Sequence, residues 1–142
     1  MIQYEVSVHI NQPVEKVFAY LADARNLRNW QADLIENESL TEGPIRVGSR
    51  FREVRQTGPR KSNIQAEITA FEPNKRFATK TVVGPQVTVQ YAFNAEQGGT
   101  KITYQFSLQT SGFMRLMEPL MAGSIKQGAE ADFQKLKQIL ES

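Results

Sequence analysis

The run Val47-Gly48-Ser49-Arg50-Phe51-Arg52-Glu53-Val54-Arg55 holds the side chains best suited to chemistry. Read as an extended strand, it puts Ser49, Phe51, Glu53 and Arg55 on one face and Arg50, Arg52 and Val54 on the other. If Phe51 faces a core, Glu53 and Arg55 turn inward with it. A carboxylate in that position needs a partner, and the pair could anchor a ligand's carbonyl or hydroxyl group. Glu53 is then the one candidate acid or base. The alternative is an ion pair at a solvated rim, because charged residues are seldom fully buried. Tyr91 and Tyr104 fall on the apolar faces of two neighbouring strand patterns, where their hydroxyls either orient a ligand or reach solvent.

Other chemistries are excluded by residue type. The chain has no cysteine, which rules out disulfides, thiolate metal sites and cysteine nucleophiles. Its single histidine, His9, rules out multi-histidine metal sites, so no metal and no cofactor is expected. His9 alternates with Val8 and Ile10 and so points away from the apolar face, and no serine, aspartate or second histidine is spaced to complete a triad with it. Gly98-Gly99-Thr100 joins two alternating runs and precedes no helix, which makes it a hairpin turn and not a phosphate loop.

Arg46, Arg50, Arg52, Arg55, Arg60 and Lys61 crowd one stretch that contains Glu53 as its only acid. Such a face could meet an anionic partner. Exposed aromatics that would stack on single-stranded bases are missing from it, and strand edges often carry charge to block aggregation, so nucleic-acid binding is disfavoured. A net charge of +2 is too small to argue otherwise.

The elements that must position these residues follow from periodicity. Ile2 to Ile10 carries apolar residues at every even position, a half-buried strand. Pro13 is pre-set for a first helical turn, and Val14, Val17, Phe18 and Leu21 form one apolar stripe. A second short helical turn spans Ala24 to Asn29 and leads to Trp30, whose large apolar surface would seal one end of the core. Strands are expected near 33–40, 47–57, 62–72, 76–83, 86–95 and 100–110. Gly43-Pro44, Gly58-Pro59, Glu72-Pro73-Asn74, Gly84-Pro85 and Gly98-Gly99 punctuate them.

The tail from Phe113 to Glu141 has helical period, with a kink or a short separate turn expected at Pro119. Its start clusters Phe113, Met114, Met117 and Met121, adaptable side chains that suit either core packing or a promiscuous apolar surface. Gly128 and Ala129 fall on the inner face between Ile125 and Phe133, either to let the sheet approach or to leave open volume. At 142 residues the chain is read as one domain, 1–142, able to bury a real core. No basic region followed by an apolar stretch opens it, and no apolar run approaches the roughly 18 residues of a membrane span, so a cytoplasmic setting is expected.

The order β-α-α-β6-α, together with "NQPVEKVFAYLAD", "NW", "GPIRVGSRF", "ITAFEPNKRF", "GGTKITYQF" and "FQKLKQILE", resembles the polyketide cyclase/dehydrase and lipid-transport family of the START-like, or SRPBCC, superfamily. The likeness covers essentially the whole chain. It implies an α+β helix-grip fold, in which a curved antiparallel sheet wraps a long C-terminal helix around a deep, mostly apolar cavity. The site it implies takes in Trp30, Phe51, Glu53, Arg55, Tyr91 and Tyr104, with Phe113, Met117, Met121, Ile125 and Gly128 from the tail. The expected partner is a small apolar or aromatic ligand, a lipid, polyketide-like molecule or isoprenoid. The resemblance leaves open a cyclase or dehydratase, a protein-interaction domain of the Hsp90-activator kind, and a homodimer, because fold alone does not fix activity.

Overall fold

A computed structural model describes residues 1–142. Strand β1 (Ile2–Ile10) leads into helix α1 (Val14–Ala22), a single 3₁₀ turn (Ala24–Asn26) and the short helix α2 (Leu27–Trp30). Six strands follow: β2 (Leu34–Ser39), β3 (Arg50–Thr57), β4 (Arg60–Glu72), β5 (Arg76–Val83), β6 (Val87–Glu96) and β7 (Gly99–Leu108). Helix α3 (Phe113–Glu141) closes the chain. The strands form one antiparallel sheet in the order β1-β7-β6-β5-β4-β3-β2, a helix-grip architecture. No helix is long and apolar enough to cross a membrane.

The sheet curves because its ladder is interrupted. Register shifts fall between Leu34 and Glu36 on β2, between Ile68 and Ala70 on β4, and between Thr81 and Val83 on β5. Each extra residue bends its strand and increases the local twist. The β6–β7 hairpin is set by backbone sterics, since Gln97 and Gly98 both take positive φ (50° and 76°), as a two-residue type I′ turn demands. Gly99 answers a different need. A Cβ there would lie 2.5 Å from the Ile10 carbonyl oxygen and 2.8 Å from the His9 ring, so only glycine lets β7 pass the end of β1. The His9 ring takes up the Glu96 carbonyl through Nε2 at 3.0 Å, a structural bond on the side away from the core.

The core gathers at one end of the concave face. Val6, Val8, Ile10, Ile102, Phe93 and Phe77 from the sheet meet Val17, Phe18 and Leu21 of α1, Trp30 of α2, and Phe133, Leu136 and Leu140 of α3. Phe18 stands edge-on to Phe71, Phe77 and Phe93, with centroids at 5.5, 6.0 and 5.0 Å, the arrangement that aromatic quadrupoles favour. The end of α3 is clamped here. Gln12 Nε2 donates to the Leu140 carbonyl at 2.8 Å and the Asn11 amide to Glu141 Oε2 at 2.7 Å, covering groups that a helix end leaves open. Lys137 Nζ donates to the His9 carbonyl on the edge strand β1 and to Glu141.

Two expectations are refined. Of the two outcomes expected at Pro119 the separate turn is absent, since α3 runs as one helix from Phe113 to Glu141 with the proline in its second turn. The strand expected from 47 starts at Arg50. Gly48, at φ 92°, turns the chain first, and the Ser49 hydroxyl accepts the Arg46 amide at 3.0 Å.

Candidate functional site

Away from the core the two walls of the fold separate. On the sheet, the cross-strand pairs Phe51 with Ala66 and Val89 with Phe106 continue the face that carries Tyr91 and Tyr104. On α3, Met117, Met121 and Ile125 lie along the facing side. These two pairs and the three α3 residues are only half-buried, whereas Ile102 and Leu136 in the core have no exposed surface. The space between is an open groove. A cleft of about 240 Å³ lies between β1 and α3, bordered by Val6, Val8 and Phe133, and the apolar walls further along stay half-exposed. The physical reason is that α3 makes its close backbone approach at β1 and α2, leaving its first half standing off the remaining strands.

At the inner end of the groove lies a polar cluster built on Arg55. The alternation of β3 does turn Glu53 and Arg55 to one side, and their side chains retain 15% and 25% of their surface in contact with solvent, so the pair is mostly withdrawn from water. Arg55 Nε and Nη2 both donate to Glu53 Oε1, at 3.1 and 3.0 Å. Its Nη1 donates to Asp33 Oδ1 and its Nη2 to Gln31 Oε1, each at 2.7 Å. Burial works against the guanidinium charge, but Glu53 and Asp33 outweigh it and hold Arg55 above its ordinary pKa. Asp132 faces this group from α3 and accepts the Ala32 amide at 3.2 Å. Burial pushes its carboxyl above the usual range.

Three tyrosines lie beside this cluster, Tyr91 within the buried core and Tyr4 and Tyr104 packed against it. Tyr91 and Tyr104 oppose each other across β6 and β7, with centroids 5.1 Å apart, and Tyr4 lies 6.1 Å from Tyr104. Burial raises all three hydroxyl pKa values, Tyr4 to about 12, so they are neutral donors at physiological pH. The Phe133 ring touches Tyr104 at 5.0 Å and Trp30 at 5.2 Å. Trp30 is buried, and its indole Nε1–H has no hydrogen-bond partner, a rare condition for a buried donor.

The structure thus brings Glu53, Arg55, Tyr91, Tyr104 and Trp30 to one end of the groove and places Phe51, Met117, Met121 and Ile125 along its walls. Phe113 is 75% exposed at the tip of α3, beside Leu116 and Leu120 at 77% and 74%. Gly128 is exposed, and a Cβ there would meet nothing within 4 Å. It does not serve a close approach of the sheet. It lies one helical turn before Asp132 and borders open space. Sequence reasoning missed Tyr4, Gln31, Asp33 and Asp132; of these only Tyr4 was legible, in the even-numbered alternation of β1. On the outer face, Arg52 pairs with Glu38 at 2.7 Å and Arg50 with Glu67 at 3.4 Å, so the basic stretch is in part matched by acids of neighbouring strands.

Comparison with solved structures returns the same architecture. TTHA0849 from Thermus thermophilus superposes with a TM-score of 0.83 at 16% identity, over 96% of this chain and 94% of that one. A protein of unknown function, SA2116 from Staphylococcus aureus, gives 0.79 at 15% identity, over 99% and 93%. Ara h 8.0201 gives 0.74 at 16% identity, over 97% and 96%. At such identities the likeness concerns fold alone. No curated protein sequence matches the chain. A family model described as polyketide cyclase / dehydrase and lipid transport matches residues 1–141. Sheet, helices and groove all fall within that span, and the chain belongs to the polyketide cyclase/dehydrase and lipid-transport family.

Proposed function

We propose that this protein holds a small apolar or aromatic molecule, of lipid, polyketide-like or isoprenoid kind, between the concave face of the sheet and α3, and that it acts as a carrier or store. The observation that carries this reading is the pair of facing apolar walls left half-exposed, Phe51, Val89 and Phe106 on one side and Met117, Met121 and Ile125 on the other. Apolar surface kept open to water on both sides of a groove is stabilised when a ligand fills it, by about 25 cal/mol for each Å² covered. Carriage is favoured over catalysis because Glu53, the candidate acid or base, spends Oε1 on two bonds from Arg55.

The test is a titration with the neutral dye Nile red, paired with native mass spectrometry of the protein as purified. One-to-one binding that Met121→Arg abolishes and Glu53→Gln leaves nearly intact is the expected result. A protein that arrives empty and ignores the dye overturns the proposal.

A further inference from the structure

We infer that the groove takes an uncharged ligand whose polar end offers hydrogen-bond acceptors, and that it turns away carboxylates such as free fatty acids; this rests on the ligand-holding reading above. An arginine at the inner end of an apolar groove suggests at first an anchor for an acid. The geometry argues the reverse. Arg55 already gives Nε, Nη1 and Nη2 to Glu53, Asp33 and Gln31 at 2.7 to 3.1 Å, so its fork has no open pair of donors for the bidentate contact by which arginine grips a carboxylate.

Charge points the same way. The ionisable side chains that act on the Tyr4, Tyr91 and Tyr104 hydroxyls, apart from one another, are Arg55, Glu53, Asp33 and Asp132. One cation therefore faces three carboxyl groups. An entering carboxylate would shed its water to meet a surplus of its own sign, with no free cation to receive it. What remains unspent is donor capacity without charge. The tyrosine hydroxyls stay protonated, with Tyr104 bonded to Tyr4 and the Tyr91 hydroxyl left over, and the Trp30 indole N–H is buried beside Phe133 with no acceptor. A carbonyl, ester or ether oxygen on an apolar body meets that set of donors, and such a ligand has no charge to desolvate.

The test compares a pyrene-labelled dodecanoic acid with its methyl ester, both read by pyrene fluorescence near neutral pH. The two share an apolar body and differ in one charge. The ester is expected to bind about tenfold more tightly or better. Freeing Arg55 with Asp33→Asn and Glu53→Gln together is expected to raise the affinity for the acid about tenfold and so to close most of its gap to the ester. An acid that binds the unaltered protein as well as the ester overturns the selectivity and leaves ligand holding intact. Binding of neither probe overturns ligand holding, and the selectivity with it. A folded double variant with no gain for the acid also overturns the inference. The comparison on the unaltered protein stands whether or not the variant folds.

Discussion

Arg55 and Glu53, two residues apart on β3, share a single oxygen: both Nε and Nη2 of the arginine donate to Glu53 Oε1, at 3.1 and 3.0 Å. Removing the arginine leaves a mostly withdrawn carboxylate without its partner. Arg55→Met is expected to lower stability by about 1–3 kcal/mol, below the full value for a buried pair because both side chains keep some contact with water. Urea unfolding of both single variants and of the Arg55→Met, Glu53→Gln double variant closes the cycle. The double variant should regain part of the loss, and strict additivity would show that the pair is not coupled.

Gly128 has open space where a Cβ would stand. Gly128→Ala should therefore stabilise the protein by about 0.5–1 kcal/mol, through the helix propensity of alanine alone. Gly128→Trp should fill the groove one turn above Asp132 and weaken Nile red binding about tenfold or more without unfolding the chain. Unchanged dye affinity in the tryptophan variant would place the ligand elsewhere.

Burial raises the pKa of Asp132 above its unfolded value of 3.8. A carboxyl group shifted upward favours folding while protonated, below the unfolded pKa, and loses that contribution as pH rises through the folded pKa. At neutral pH the ionised form is a net cost. Asp132→Asn keeps an acceptor for the Ala32 amide and removes the charge, so Tm at pH 7 should rise by a few degrees. The gap between variant and parent should close as pH falls toward the unfolded value. A gap independent of pH would show that the effect is not electrostatic.

At Gly99 a side chain meets backbone, with the Ile10 carbonyl 2.5 Å from the position of a Cβ. Gly99→Ala is expected to cost about 1–3 kcal/mol, the range for forced overpacking. Gly123→Ala, in open space on the exposed side of α3, is the control and should be neutral or mildly stabilising. Denaturation midpoints of the two variants decide the matter.

Periodicity made most of the fold legible. The even-numbered apolar residues of β1, the stripe Val14, Val17, Phe18 and Leu21, and the paired glycine and proline turns each describe a local constraint, and local constraints are written in neighbouring residues. Half of the polar cluster was legible for the same reason, because Glu53 and Arg55 lie two apart on one strand. Gln31, Asp33 and Asp132 were not. They come from a loop and from a helix about a hundred positions away, and the packing of Phe133 against Trp30 and the Ala32–Asp132 hydrogen bond bring these segments together. The depth of the cavity was hidden as well. It depends on how far the first half of α3 stands from the sheet, which is a balance of packing along the whole helix and not a property of any short stretch.

The unbroken course of α3 makes it a lever. Its C-terminal end is held by Phe133, Leu136 and Leu140 in the core and by the clamps on Leu140 and Glu141. At a rise of 1.5 Å per residue, Phe113 lies roughly 30 Å from Phe133 along the axis. A tilt of about ten degrees at the anchored end would then carry the tip by about 5 Å. The tip does not follow such a tilt freely: the Met1 ammonium pairs with Glu118 at 2.7 Å and residues 109–112 tie α3 to β7, so widening the groove means breaking that ion pair and swinging that linker.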